Sequence, residues 1–308
     1  RIGEGIAIVP TAPETLRNRD NHHPYRFDSY FWYLTGFPEP EAVVLLLGAQ
    51  GKQPRQSILF CRDKNEEREI WDGFRYGPQA AQAAFGFDAA YPIDQLDSEL
   101  PKLLRNRPAL WVSLGHDTEW DARINAALSA IRKDARSGAL APRTFHDIRA
   151  TLDAMRLIKD HHEIDTMRRA AAIASAGHAR AMRACRPGMA EYELEAELTY
   201  EFRKRGADGH AYTPIVAGGA NACVLHYVDN NKLLNDHTLV LIDAGCEVEG
   251  YAADITRTFP VNGRFTAAQK DVYEIVLAAQ EAAFAATAPG RHFMEAHDAA
   301  VRVLTRGL

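Results

Sequence analysis

Two aspartates, Asp243 and Asp254, sit in stretches that otherwise read as β-strand: LVLID ending at Asp243, and YAADITRTF containing Asp254. A carboxylate within or at the end of a buried strand is costly unless it is paired or bound to a metal. Between them lies Glu247-Val248-Glu249-Gly250, which reads as a hairpin turn. Antiparallel pairing about a centre between Val248 and Glu249 places Asp243 directly opposite Asp254. Residues so paired share a sheet face, with Cβ atoms about 4.5–5.5 Å apart.

Two carboxylates that close repel each other. A divalent cation between them resolves the repulsion, and hard carboxylate oxygens suit Mg, Mn, or Zn in a mixed site. A proton shared as in an aspartic dyad is a second resolution. Asp243-Ala244-Gly245 also reads as a turn signal. Pairing of Asp254 with Arg257 is disfavoured, because residues three apart in a strand face opposite sides. His226, in VLHYV just before the hairpin, is either a satisfied core histidine or a group that polarises a carbonyl or stabilises an oxyanion.

The elements that must position these residues fall into two halves. In the first, Ile6–Val9, Tyr30–Gly36, Ala42–Gly48, Ser57–Cys61 and Leu110–Leu114 read as strands. The continuously apolar AVVLLL run fits a central strand covered on both faces. Helices are expected over Pro78–Phe85, Asp94–Arg105 and Thr118–Arg136, giving an α/β layer fold. His22-His23 precedes Pro24 in a polar stretch and reads as loop. A domain boundary is expected near residue 155, giving domains 1–155 and 156–308.

The second half opens with a helix whose stripe runs Met167, Ala171, Ala174, His178 and Met182, stopped by Pro187-Gly188. A second helix covers Glu191–Arg205. TPIVAGG, VLHYV, TLVLIDAG and YAADITRTFPV then read as strands. Thr266 and Gln269 form a capping box that starts another helix, and a last helix begins near Phe293. The order suggests an α+β domain, an antiparallel sheet with helices on one face.

The 308 residues are 46% apolar and 25% charged, with a net charge of −5. No basic surplus is present to neutralise phosphates, so nucleic acid is not an expected partner. No apolar run approaches the ~18 residues of a membrane span. Cys61, Cys185, Cys223 and Cys246 form no CxxC pair and fit a reducing, cytoplasmic setting. VAGGANA lacks GxGxxG spacing, and His161-His162-Glu163 reads as a helix start rather than a metal cluster.

VLHYVDNN, LVLIDAGCEVEGYAADITRTFPVNG and FTAAQKDVYEIVLAAQ resemble the catalytic domain of the aminopeptidase P (Xaa-Pro aminopeptidase) family, a pita-bread fold shared with prolidase, methionine aminopeptidase and creatinase. RDNHHPYRFDSYFWYLTGFPEPEAVVLL and EIWDGFRYG resemble that family's N-terminal domain. The resemblance implies an α/β N-terminal domain followed by an α+β pita-bread catalytic domain. It implies two divalent metals, usually manganese, that promote hydrolysis of the bond before a proline in second position. By resemblance Asp243 chelates one metal, Asp254 bridges both, His226 binds substrate and stabilises the tetrahedral intermediate, and Trp71 lines the substrate site across subunits of a homo-oligomer. Read from the residue alone, Trp71 is equally a half-buried core residue. Prolidase activity on Xaa-Pro dipeptides, and a non-catalytic peptide-binding role, are the alternatives.

The chain opens at Arg1 and closes at Leu308 inside an apparent helix, so it reads as cut at both ends. The family's ligand histidine and two ligand glutamates are expected beyond residue 308. Glu295 and His297 lie on a helix without the flanking motif and are not assigned. With two of five ligands, this stretch by itself is expected to hold metal weakly.

Overall fold

The β-branched and leucine-rich runs of the first half pair into one six-stranded sheet. The computed structural model describes residues 1–308 as two compact units, Arg1–Lys159 and Asp160–Leu308. In the first unit, β1 (Ile6–Pro10) is followed by a small exposed hairpin, β2 (Leu16–Asn18) and β3 (Asn21–His22). His22 therefore lies on a strand, not in the loop expected of it. Then come α1 (Ser29–Thr35), β4 (Val43–Leu47), β5 (Gln56–Cys61), α2 (Glu66–Asp72), α3 (Gly77–Phe85) and β6 (Ala89–Pro92). The unit closes with α4 (Leu96–Leu104), β7 (Ala109–Trp111), α5 (Thr118–Lys133), β8 (Thr144–His146) and α6 (Ile148–Arg156).

The sheet order is β6-β5-β4-β1-β7-β8, with β5-β4-β1 antiparallel and the outer pairings parallel. Strand side chains alternate between two cores. Ile6, Ile8, Val43, Leu45, Ile58 and Phe60 pack against α4 and α5. Ala7, Val9, Val44, Leu59 and Cys61 pack on the other face with Phe31, Phe37 and Ile148. Both faces are covered, which is why AVVLLL is continuously apolar.

Tyr30–Gly36, expected as a strand, is the helix α1. Asp28 accepts the backbone N–H groups of Tyr30 and Phe31, and Gly36 caps the other end at φ 62°. A side-chain N-cap and a left-handed glycine outweigh the β propensity of the aromatics between them.

The second unit opens with α7 (His161–Ala184) and α8 (Glu191–Lys204). Asp160 and Glu163 form the capping box of α7, so Glu163 serves the helix start. The strands follow: β9 (Gly209–His210), β10 (Ile215–Gly218), β11 (Leu239–Asp243), β12 (Cys246–Val248), β13 (Tyr251–Ala252) and β14 (Thr256–Pro260). They form two small antiparallel sheets, β10-β11-β14 and β13-β12-β9. Ala170, Ala174, Leu194, Leu198 and Phe202 from the helices meet Val216, Val240, Ile242 and Val248 from the strands in one core. Helices α9 (Ala267–Ala286), started by the Thr266–Gln269 capping box, and α10 (Phe293–Gly307) pack on each other.

Candidate metal centre

The two aspartates sit on one hairpin, and its turn sets their relation. Glu249 and Gly250 both have positive φ, 51° and 79°, which is the backbone of a two-residue type I′ turn. The turn is therefore centred between Glu249 and Gly250, further along the chain than the sequence suggested. Val248 pairs with Tyr251, and Asp243 pairs with Thr256. The expected direct opposition of Asp243 and Asp254 is corrected. In the same register Asp254 falls opposite Gly245, two residues along from Asp243. The carboxylates are diagonal neighbours on one face, a relation that spans roughly 7–8 Å.

The hairpin also creases there. Regular pairing lapses between β11 and β12 and between β13 and β14, although Ala244 N–H still donates to Ile255 O and Ala253 N–H to Cys246 O. A Cβ on Gly245 would fall 1.7 Å from the Ala253 carbonyl oxygen. Gly245 is thus required by close approach of the neighbouring strand, and Asp243-Ala244-Gly245 is not a turn. Asp254 stands in the crease and is exposed, while Asp243 is half-buried. Ile255 and Phe259 turn toward the core, leaving Asp254, Thr256 and Thr258 on the other face. Arg257 donates to the Thr256 carbonyl, not to Asp254.

A third residue, missed in the sequence, joins the pair. The Tyr212 hydroxyl lies 2.5 Å from Asp243 Oδ1 and 3.1 Å from Asp254 Oδ1. Strand β9 positions it: His210 pairs with Cys246, and Ala211 N–H donates to Gly245 O at 2.9 Å. Burial first, then the hydrogen bond to Asp243 and the charges of both aspartates, hold the Tyr212 proton on well above its ordinary range. A tyrosine in the polar run HAYTP carries no spacing signal; only the strand pairing reveals it.

Beneath the site, His178 from α7 is buried, with Nε2 2.9 Å from the Ala244 carbonyl oxygen. The carbonyl can only accept, so Nε2 carries the proton. Burial pushes the imidazole pKa down, and the ring is neutral. His178 supports the backbone beside Asp243.

His226 is not on a strand. Gly219–Cys223 forms a short 3₁₀ turn and His226 follows on an exposed bend. Val224 and Leu225 are 55% and 89% exposed, so the apolar letters of VLHYV do not pack into a sheet. The contacts that join Asp243, Asp254 and Tyr212 do not include His226. Trp71 belongs to the other unit, at the end of α2, and is 81% exposed beside exposed Ile70 and Phe74; it is not a core tryptophan.

Fit to a divalent ion can be judged on these groups. Two hard carboxylates converge on a single neutral hydroxyl, which has one proton to offer two anions. That arrangement suits a cation of the Mg or Mn type. No third His, Cys, Asp or Glu joins the pair in a cluster of ligands.

Residues 165–308 match metallopeptidase family M24, and residues 1–111 match the N-terminal domain of aminopeptidase P. Xaa-Pro aminopeptidase of Escherichia coli is 43% identical over 302 residues, covering 98% of this chain and 68% of that protein. The chain belongs to the aminopeptidase P family of M24 metallopeptidases. Human Xaa-Pro aminopeptidase 3 is 37% identical, with 92% of this chain and 55% of that protein covered. Among solved structures, Pseudomonas aeruginosa aminopeptidase PepP superposes with a TM-score of 0.96 at 50% identity, over 99% of this chain and 69% of that one. Zinc-substituted E. coli aminopeptidase P in complex with product gives 0.97 at 42%, over 100% and 70%. The chain therefore spans about two thirds of the length of the bacterial relatives and about half that of the human one. The chain itself carries an N-terminal α/β domain and then a domain of the pita-bread fold. No helix is long and apolar enough to cross a membrane.

Proposed function

We propose that this chain forms the N-terminal domain and the first part of the catalytic domain of an Xaa-Pro aminopeptidase, releasing the first residue of peptides whose second residue is proline. The observation that carries the reading is the convergence of Asp243 and Asp254 on the Tyr212 hydroxyl. Asp243 and Asp254 would hold divalent metal, two manganese ions in the complete site. Bound there, the metal supplies Lewis acidity toward the scissile carbonyl and activates water. Tyr212, whose proton is held firmly, orients both carboxylates from the protein side. His226, exposed on its bend, is free to meet the substrate carbonyl and to donate to the developing oxyanion. Trp71 offers an aromatic surface to the peptide within a homo-oligomer. Free Cys61, Cys185, Cys223 and Cys246 fit a cytoplasmic enzyme.

The test uses the full-length protein with manganese. An Xaa-Pro-Yaa tripeptide should lose its first residue, and atomic absorption should find bound metal. Hydrolysis of Xaa-Pro dipeptides alone would make the protein a prolidase. A full-length protein that holds no metal and cleaves neither peptide would overturn the enzyme reading.

A further inference from the structure

His226 sits on a loop that apolar burial does not hold. Val224, Leu225 and Val228 around it are 55%, 89% and 48% exposed, and the imidazole makes no hydrogen bond. The loop is instead tied by one carboxylate. Glu191, the first residue of α8, is fully buried at 0% exposure. Its Oε1 accepts the Gly218 N–H at 2.8 Å and Asn221 Nδ2–H at 3.0 Å. Its Oε2 accepts the Tyr227 hydroxyl at 2.7 Å and the Lys232 N–H at 3.0 Å. These donors come from the start of the loop, its interior, the residue next to His226, and its end. The Glu191 N–H in turn donates to the Lys232 carbonyl at 2.9 Å.

A second tie lies one helical turn on. Glu195 Oε2 accepts Asn230 Nδ2–H at 2.9 Å, and Asn230 also meets the Pro214 carbonyl and the Val216 N–H. Glu191 and Glu195 are four apart, on one face of α8.

We infer that Glu191 is a positioning residue for His226: its buried carboxylate fixes the loop that presents the imidazole to the peptide substrate. This rests on the reading of His226 as a substrate-binding group. A charged acceptor is required, because its two oxygens satisfy four donors and leave none to spare. Burial alone would raise the Glu191 pKa. The four hydrogen bonds outweigh burial and hold it below the usual carboxylate range, so the group is charged at neutral pH.

The experiment uses the full-length manganese enzyme with Glu191→Gln, His226→Ala and the double variant. The amide that Glu191→Gln introduces puts its own N–H groups against two donors. Glu191→Gln should lower kcat about 10- to 100-fold, the scale of a small misplacement, with metal content unchanged. Amide exchange over residues 218–232 should speed up. In the His226→Ala background the same change should have little further effect, since residues acting as a unit are not additive. Unchanged exchange over 218–232, or an equal kcat loss in both backgrounds, overturns the positioning role. A His226→Ala enzyme with normal kcat and KM overturns the His226 reading instead, whatever the exchange shows. If Glu191→Gln does not fold, Tyr227→Phe removes one tie beside His226 and enters the same cycle. It should give a smaller loss of kcat that vanishes in the His226→Ala background; a loss that persists there overturns the inference.

Discussion

Asp243 and Asp254 are diagonal neighbours on one sheet face, each presenting an Oδ1 to the same tyrosine hydroxyl. One proton cannot satisfy two anions, so Tyr212 softens their repulsion without removing it. Tyr212→Phe deletes that donor. In full-length protein stripped with EDTA, urea unfolding should show a loss of about 1 kcal/mol, the net worth of a hydrogen bond whose acceptors water can still reach. With a divalent cation added the loss should shrink, because a cation held by the two carboxylates takes over the role. Equal losses in both states would mean the hydroxyl serves packing alone.

Asp254→Ala relieves repulsion and touches no core residue, since Asp254 is exposed in the crease. The full-length variant should keep its far-UV circular dichroism and melting temperature, lose its peptidase activity, and bind less metal. Retained activity would remove Asp254 from the metal site. His226→Ala, by contrast, should lower turnover far more than metal content, because His226 lies outside the aspartate contacts. Parallel loss of turnover and metal would make His226 a ligand.

What the sequence made legible follows from which forces were local. The apolar β-rich runs at residues 6–9 and 57–61, and the unbroken run at Val43–Leu47, report burial on both sheet faces directly. The Thr266–Gln269 box was readable because capping depends on a three-residue spacing. The Asp243–Asp254 pairing was placed on the right face but in the wrong register, since positive φ at Glu249 was needed to centre the turn. Glutamate rarely signals that conformation. The strand assigned to residues 224–228 failed because the segment is held by contacts no periodicity records: Glu191 accepts the Tyr227 side-chain hydroxyl and the backbone N–H groups of Gly218 and Lys232 on either side. Tyr212 was invisible for the same reason: its place depends on β9 pairing with β12.

Gly245 is the residue the crease depends on. A methyl group there would fall 1.7 Å from the Ala253 carbonyl oxygen and 2.5 Å from its carbon, both backbone atoms. The strand that carries Asp254 would have to move. Gly245→Ala should destabilise the protein by about 1–3 kcal/mol or more, as overpacking does, read by urea unfolding. Metal affinity should fall with it, because the displaced strand carries one of the two carboxylates. A variant of unchanged stability and metal content would mean the two strands can part at no cost.

Acid should weaken the second unit through His178. Burial pushes its folded-state pKa below the ordinary histidine value near 6.5, so the unfolded chain binds the proton first. The native state is then favoured in full above the unfolded pKa, and this contribution is lost as pH falls through about 6.5 toward the folded value. His210, also pushed down by burial, acts in the same direction. His178→Gln keeps an N–H donor for the Ala244 carbonyl but does not titrate. Its stability at pH 7.5 should stay within about 1 kcal/mol of the parent, the net worth of one hydrogen bond. Between pH 7 and 5 its stability should decline less steeply than the parent's, measured by urea midpoints at half-unit steps. Superimposable pH profiles for the two proteins would show that His178 takes up no proton on unfolding in that range, and that the acid sensitivity belongs to other groups.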